Sequence, residues 1–474
     1  MTVETVLLAV VLIAGLYMAW NIGANDVANA MGTSVGSGAL TLAQAVCIAA
    51  VFEFSGAFFF GSHVSKTMQS GLVYTDLYAD TPLIMVYGML SGLLASGIWL
   101  QIASYFGWPV STTHSIVGAI VGFGIISGGS DAVNWDNVGF IVSSWVFSPL
   151  LGGCLAYLMF NLLRRNIFYS RHPFEAAKKL TPWLVFFAAL IMSLMLLLEG
   201  LRHTFPHLNS WHATGISLLV AGLASCISYF AMRRLQSRPA QHKANPPYGP
   251  EIAIELDKAK RHLTRVQDSA SGDLHYYVSL LIEEVEQVGA SLKKIPEQGP
   301  EISEYDAVEK IFARLQIASA ALMAFAHGTN DVANAIGPLS ASIAILASGV
   351  IEPAAPIPTW LLGFGGFGIV VGLATWGWRV IETIGKKITE LTASRGFTAE
   401  LSAATIIVLA SRMGMPISTT HTLVGAVLGV AFARGIGALN MGTTRDIVLS
   451  WLVTVPAGAI LSVGLFIVIR ALFG

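Results

Sequence analysis

Two short stretches place carboxylate and amide side chains inside apolar surroundings. Residues 23–32 read GANDVANAMG and residues 328–337 read GTNDVANAIG, so Asn25, Asp26, Asn29 and Gly32 recur as Asn330, Asp331, Asn334 and Gly337 at a constant offset of 305. A carboxylate within an apolar segment is costly and marks a functional site by default. Asn25 and Asn29 are four residues apart, and Asp26 and Asn29 three, so on a helix they share a face. That face gathers carbonyl and carboxylate oxygens, which hard cations such as sodium choose as ligands. A proton carried on either Asp is the alternative. Hydrogen bonding between helices by the amides is the simpler reading, but an Asp repeated in both copies speaks against it. Gly23 is expected to interrupt the preceding apolar helix, letting Asn25 or Asp26 cap a new one running towards Met31.

A second pair of stretches offers the complementary chemistry. Residues 107–122 read GWPVSTTHSIVGAIVG and residues 414–429 read GMPISTTHTLVGAVLG, at an offset of 307. In each, a Pro and a Ser-Thr-Thr cluster open an apolar helix. The free amides and the positive end of the helix dipole favour an anion there. The hydroxyls of Ser111, Thr112, Thr113, Ser418, Thr419 and Thr420 can donate to the same anion. Capping alone would explain one copy; two copies beside the Asn/Asp stretches point to a site. His114 and His421 follow the clusters and are expected to donate to a nearby carbonyl, with proton relay as the alternative. No Lys or Arg belongs to any of the four stretches. An anion here must therefore rely on helix ends, hydroxyls and co-bound cations, and the Asp pair would repel it unless neutralised. Cation-coupled uptake of an anion is the natural mechanism.

Glu53, in CIAAVFEFSGAFFFG, and Glu400, in GFTAELSAATIIVLA, are further intramembrane carboxylates and candidates on the same ground. Glu53 lies 58 residues before Ser111 and Glu400 only 18 before Ser418, so they do not occupy matching places. Arg379, Glu382 and Arg412 stand at segment edges, where snorkelling or structural ion pairing is expected.

The elements that must carry these residues are membrane helices. Of 474 residues, 54% are hydrophobic and 12% charged, against about 25% charged in a soluble domain. Residues 236–310 hold 22 of the 55 charged side chains, so the remainder is too apolar for water. Apolar segments fall at about 5–22, 42–60, 83–106, 113–127, 138–162, 182–198, 211–232, 311–326, 357–378, 399–413, 420–433 and 446–472. A full span needs about 20 residues; segments 113–127 and 420–433 are shorter, follow a Pro, and read as half-helices or re-entrant hairpins. Such elements survive at membrane depth only where protein or a wet cavity surrounds them. The fold class is all-α and polytopic, with roughly 10–12 membrane segments.

Both motif pairs occur in the same order, and SWVFSP at 144–149 loosely matches SWLVTVP at 450–456. The chain is thus internally duplicated. It divides into a first transmembrane repeat, 1–163, additional segments over 164–235, a helical loop or linker, 236–310, and a second repeat, 311–474. In secondary transporters such halves meet near the bilayer midplane with the site at their interface. The loop 164–181 holds Arg164, Arg165, Arg171, Lys178 and Lys179 against Glu175 alone, and Arg233, Arg234, Arg238 and Lys243 cluster later. By the positive-inside rule these regions are cytoplasmic, residues 236–310 with them, and 199–210, with Glu199 and Arg202, faces out. A Pro-rich linker opens 236–310; helical patterns follow at 251–268 and through Leu280, Leu281, Val285, Val288 and Leu292. Cys47, Cys154 and Cys226 read as small buried hydrophobes, and residues 5–20 as a retained membrane segment rather than a signal peptide. No GxxxxGK[ST] loop or nucleophile elbow is present, so the sequence does not suggest an enzyme, and no basic-aromatic surface suggests nucleic acid.

GANDVANAMGTSVGSGALT, AHGTNDVANAIGPL, PVSTTH and PISTTH together resemble the inorganic phosphate transporter (PiT) family, through both halves of the chain. The resemblance implies symport of inorganic phosphate with sodium or protons, inverted-topology repeats, a homodimer and a place in the cell (inner) membrane. It places phosphate between the Ser111–Thr113 and Ser418–Thr420 helix ends. Cations, sodium at Asp26, Asn29, Asp331 and Asn334 among them, are then held beside it by Asn25, Asp26, Asn29, Asn330, Asp331 and Asn334. Glu53 and Glu400 match glutamates that the family uses. No cofactor beyond the coupling ions is implied. The rival readings are a sulfate or other oxyanion permease of the same family and, from another class, a passive anion channel or membrane phosphate sensor.

Overall fold

The computed structural model of the chain describes residues 3–197, 209–235, 250–271, 273–293, 304–352, 355–381, 391–435 and 441–474. Glu199, Arg202, the Pro-rich stretch 238–249 and Glu382 lie outside them. The described residues are almost entirely helical, the one β-bridge pairing Val73 with Val133.

The N-terminal part contributes α1 (Val3–Gly36), α2 (Leu42–Phe60), α3 (Ser62–Ser70), α4 (Pro82–Tyr105), α5 (Thr112–Gly128) and α6 (Trp135–Leu163). Two apolar helices follow, α7 (Pro173–Met195) and α8 (Ser210–Arg234), packed on each other. A polar pair comes next, α9 (Pro250–Ser269) and α10 (Asp273–Lys293). The C-terminal part supplies α11 (Glu304–Asp331), α12 (Ala333–Ser348), α13 (Thr359–Thr375), α14 (Ala393–Arg412), α15 (Thr419–Arg434) and α16 (Met441–Phe473). Eight described helical stretches are long and apolar enough to cross a membrane, and α5 and α13 are shorter apolar helices. The chain is a multi-pass membrane protein. The short helices expected after each Pro are α5 and α15, of 17 and 16 residues.

The two halves interlock. Helix α1 packs on α13 and α11 on α2, with backbone against backbone. A methyl group on Gly23 would lie 1.9 Å from the Ile369 carbonyl oxygen, and one on Gly372 would lie 1.9 Å from that of Trp20. Gly328 and Gly56 repeat this arrangement against Glu53 and Phe325, at 2.1 Å each. Close small-residue packing of this kind replaces the hydrophobic drive that lipid removes.

This packing corrects one expectation. Helix α1 runs unbroken through Gly23, Asn25 and Asp26. A Gly inside a helix costs about 1 kcal/mol, and here the close fit of α13 offsets that. The interruption occurs in the other copy, at Val332, between α11 and α12. The cysteines are a second correction. Cys47, Cys154 and Cys226 are exposed, on helices that satisfy the length and composition of spans. Lipid-facing and core-facing positions are both apolar, so hydropathy does not separate them.

The polar pair forms the expected helical hairpin. Lys260 meets Glu286 at 2.6 Å across it, and Gln267 donates to Ser279 at 2.9 Å near its turn. At the segment edge, the Arg379 guanidinium lies over the rings of Trp376, Trp378 and Tyr105, at 4.9, 5.2 and 5.3 Å.

Candidate functional site

The four polar stretches meet in one buried cluster. Asn29, on α1, donates from its amide to Asp26 Oδ1 at 3.0 Å and to Thr420 Oγ1, on α15, at 2.8 Å. Thr420 Oγ1 also lies 3.3 Å from Asp26 Oδ1 and 3.2 Å from the Val110 carbonyl oxygen. The other half answers in kind. Asn334 donates to Asp331 Oδ1 at 3.3 Å and to the hydroxyls of Thr112 and Thr113, on α5, at 3.1 and 3.2 Å. Thr113 donates to the Ile417 carbonyl at 3.0 Å, and Thr419 donates to Asp331 Oδ2 at 2.6 Å. Each Asn/Asp stretch therefore reaches the Ser-Thr-Thr end belonging to the opposite half.

Ser111 and Ser418 are the N-caps of α5 and α15, accepting from the amides of His114 and His421 at 3.2 and 3.1 Å. A hydroxyl that accepts from its own helix still has a proton to donate. The first amides of each helix have no intrahelical acceptor, so each end presents donors suited to an anion.

Asn25 and Asn330 are placed differently from Asn29 and Asn334. Asn25 donates to Ser104 Oγ at 2.9 Å and to the Trp108 carbonyl at 3.1 Å, and its own carbonyl accepts from Val110 N at 3.3 Å. Asn330 repeats the pattern with Ser411 Oγ and the Met415 carbonyl, at 3.0 and 3.1 Å. Both pin the loop that leads into a Ser-Thr-Thr end.

At the centre stands a residue the sequence reading passed over. His327 Nε2 lies 2.9 Å from Asp331 Oδ2 and 3.7 Å from Asp26 Oδ2, and its Nδ1 lies 3.3 Å from Glu53 Oε1. All four side chains are essentially inaccessible. The signal was present in AHGTND, because an imidazole in an apolar run, four residues before an Asp, shares that Asp's helical face. It went unread because its counterpart in the first copy is Ile22, so the repeat did not flag it.

Oxygens remain for a cation. Asp26 Oδ2, Asn29 Oδ1, Asn334 Oδ1 and both Glu53 oxygens are buried and accept no hydrogen bond. An oxygen set of this kind fits a hard cation, and Asp26, His327 and Asp331 have ligand atoms mutually within 4.8 Å.

Glu53 and Glu400 are not brought together. Glu53 joins the His327 cluster, while Glu400 is held by Thr33, by Ser34 at 2.6 Å, by Ser319, and by Gln316 at 3.2 Å. It thereby ties the end of α1 to α11. Thr33 is seven residues beyond Asp26, about 10 Å along a helix. The packing contacts show what replaces each carboxylate in the other half. Ile369 faces Gly23 as Glu53 faces Gly328, and the 307-residue offset of the Ser104–Ser411 pair puts Leu93 opposite Glu400. Glu400→Ala would strand the buried donors of Thr33, Ser34 and Gln316, Ser319 keeping the Gln316 carbonyl at 3.0 Å, lowering stability by about 3 kcal/mol or more. Glu400→Gln keeps acceptor capacity and should lose less. Thermal unfolding in detergent checks the order, and equal losses would refute it.

His114 and His421 meet backbone groups of Trp451 and Trp145 respectively. Their rings also lie against tryptophans, 3.7 Å from Trp145 and 3.6 Å from Trp451.

The chain is similar to known proteins over most of its length. Residues 22–462 match the model of the phosphate transporter family, PHO4. The chain is 45% identical over 454 residues to inorganic phosphate transporter 2-1, chloroplastic, of Arabidopsis thaliana, covering 95% of this chain and 70% of that protein. A putative phosphate permease of Chlamydia pneumoniae is 44% identical over 479 residues, covering 98% of this chain and 99% of the relative. A solved structure described as the sodium-dependent phosphate transporter superposes with a TM-score of 0.79 at 36% identity, covering 98% of this chain and 99% of that one. The matched region contains both Asn/Asp stretches and both Ser-Thr-Thr ends, and the family is one of permeases rather than enzymes: the chain belongs to the phosphate transporter family.

Proposed function

We propose that this protein imports inorganic phosphate together with sodium ions by alternating access. The observation that carries the reading is the crossing of the halves, in which Asn29 and Asp26 hold Thr420 while Asn334 holds Thr112 and Thr113. Cation-type oxygens and anion-type helix ends thereby share one buried volume. Phosphate sits between the two ends, taken by the hydroxyls of Ser111, Thr112, Thr113, Ser418, Thr419 and Thr420 and the adjacent amides. Sodium takes the oxygens of Asp26, Asn29, Asp331 and Asn334. Asn25 and Asn330 hold the loops, and Glu53 and Glu400 act from outside the anion site. Neither charge is stable there alone, which is the physical origin of coupling. A solved relative named as sodium-dependent supports the choice of ion.

Proton coupling is the second reading, favoured by His327 among Asp26, Asp331 and Glu53. The proposal also takes 1–163 and 311–474 as inverted repeats joined through 164–235 and a cytoplasmic 236–310, and the working unit as a homodimer in the inner membrane. The crossed contacts and duplicated motifs support the repeats; the membrane location and dimer rest on the family resemblance.

Uptake of labelled phosphate into proteoliposomes tests the reading, with sodium and proton gradients imposed one at a time. An inward sodium gradient is expected to drive accumulation above the external concentration, with excess sulfate competing weakly. Accumulation driven by the proton gradient alone would overturn sodium coupling, and equilibration without accumulation would mean a channel.

A further inference from the structure

The two short helices that carry the anion end are each packed against the long helix of the opposite half. A methyl group on Gly118 or Gly122 of α5 would lie 2.4 or 2.7 Å from the carbonyl oxygens of Val455 and Ala459 on α16. One on Gly425 or Gly429 of α15 would lie 2.3 or 2.1 Å from those of Pro149 and Gly153 on α6. Backbones this close leave no room for one helix to slip across the other, so α5 with α16, and α15 with α6, each form a firm pair.

Between the pairs lies a stack of four rings. Trp145 of α6 is 3.7 Å from His114 of α5, His114 is 4.2 Å from His421 of α15, and His421 is 3.6 Å from Trp451 of α16. Taken in order, the rings belong alternately to one pair and the other, so every ring contact in the stack crosses the seam. His114 and His421 are only 4% and 3% exposed. Trp145 Nε1 and Trp451 Nε1 have no hydrogen-bond partner, and the backbone groups that His114 and His421 meet, at Trp451 and Trp145, belong to the histidine's own pair. Ring contacts, one tilted, one edge-to-face and one stacked, therefore make this seam, and a shift between two such preferred ring geometries breaks no hydrogen bond between the rings. The hydrogen bonds that do cross the seam here, from Thr113 to the Ile417 carbonyl and from Thr420 to the Val110 carbonyl, lie at the anion end itself. Each histidine sits on the amide that its Ser cap binds, so moving the ring moves the helix end.

We propose that His114 and His421 are positioning residues: interleaved with Trp145 and Trp451, they set the spacing of the two Ser-Thr-Thr ends, and this ring seam is the surface on which the two helix pairs shift during transport. The role is steric and needs no proton transfer. It rests on the phosphate reading given above.

Phosphate uptake and the 19F spectrum of 5-fluorotryptophan-labelled protein test it together, with Trp145 and Trp451 assigned by substitution. The His114→Ala/His421→Ala variant is expected to raise KM for phosphate about tenfold with a smaller change in maximal rate. His114→Phe/His421→Phe, which keeps two rings, should restore KM to within about threefold. If the double alanine variant does not fold, single His421→Ala carries the same prediction. In the parent protein, sodium plus phosphate should shift both fluorine resonances. An unchanged KM in the alanine variant, a phenylalanine variant as impaired as alanine, or resonances indifferent to sodium plus phosphate in a protein that transports it would each overturn the proposal. If the parent protein takes up no phosphate, the functional reading fails. The substrate-free resonances then decide the seam, which is refuted if His→Ala leaves both in place.

Discussion

Asp26→Asn and Asp331→Asn are each expected to lower sodium-driven phosphate uptake by about 100-fold, the scale of removing one partner of a buried charged contact. The two substitutions separate chemistry from folding. Asp331 accepts from Thr419 at 2.6 Å and from Asn334 at 3.3 Å, so its replacement also asks a hydroxyl to reverse. Asp26 Oδ2 accepts no hydrogen bond, and its conversion to an amide removes charge with little else. Thermal unfolding of Asp26→Asn should stay close to that of the parent protein while uptake vanishes. Normal uptake in either variant would sink the assignment of the cation side.

Gly328→Ala is expected to be among the most damaging small substitutions in the protein. Its new methyl group would sit 2.1 Å from the Glu53 carbonyl oxygen, and the obstacle is backbone, which no rotamer change removes. Overpacking in a core usually costs about 1–3 kcal/mol. Here α2 and α11 must separate along their length, so a loss of about 4 kcal/mol or more is expected. Gly23→Ala, facing Ile369 at 1.9 Å, should behave alike. Gly92→Ala is the control, since its nearest neighbour is a flexible Ile120 side chain at 3.5 Å. Monodisperse yield and thermal unfolding in detergent rank the three variants. A stable Gly328→Ala protein would show that the helix pair is looser than it stands.

Duplication made much of this legible in advance. Two motif pairs at offsets of 305 and 307 pointed to the residues that meet in the buried cluster, and their types suggested the cation and anion sides of the proposal. The Pro before each Ser-Thr-Thr cluster marked the starts of α5 and α15. What stayed hidden depended on contacts between segments. Gly23 signals a helix break or a close helix contact with equal force, and only the presence of α13 chooses. The cysteines needed knowledge of which helix face meets lipid. His327 and Glu53 acquire meaning only when α2 and α11 are laid together. Asn25 and Asn29 share a type and a face, yet one binds a loop carbonyl and the other the site.

The placing of the two glutamates bears on how the protein rests. Under the alternating access proposed above, identical inverted halves would give outward-open and inward-open forms related by a two-fold rotation and equal in energy, and only the ion gradients would choose between them. Ile369 and Leu93 stand where the second and first halves would otherwise repeat Glu53 and Glu400. The partners of each buried carboxylate, His327 for Glu53 and Thr33, Ser34, Gln316 and Ser319 for Glu400, are likewise not repeated in the other half. On that reading the two orientations differ in energy, and the protein would rest facing one side of the membrane by a bias fixed in the chain.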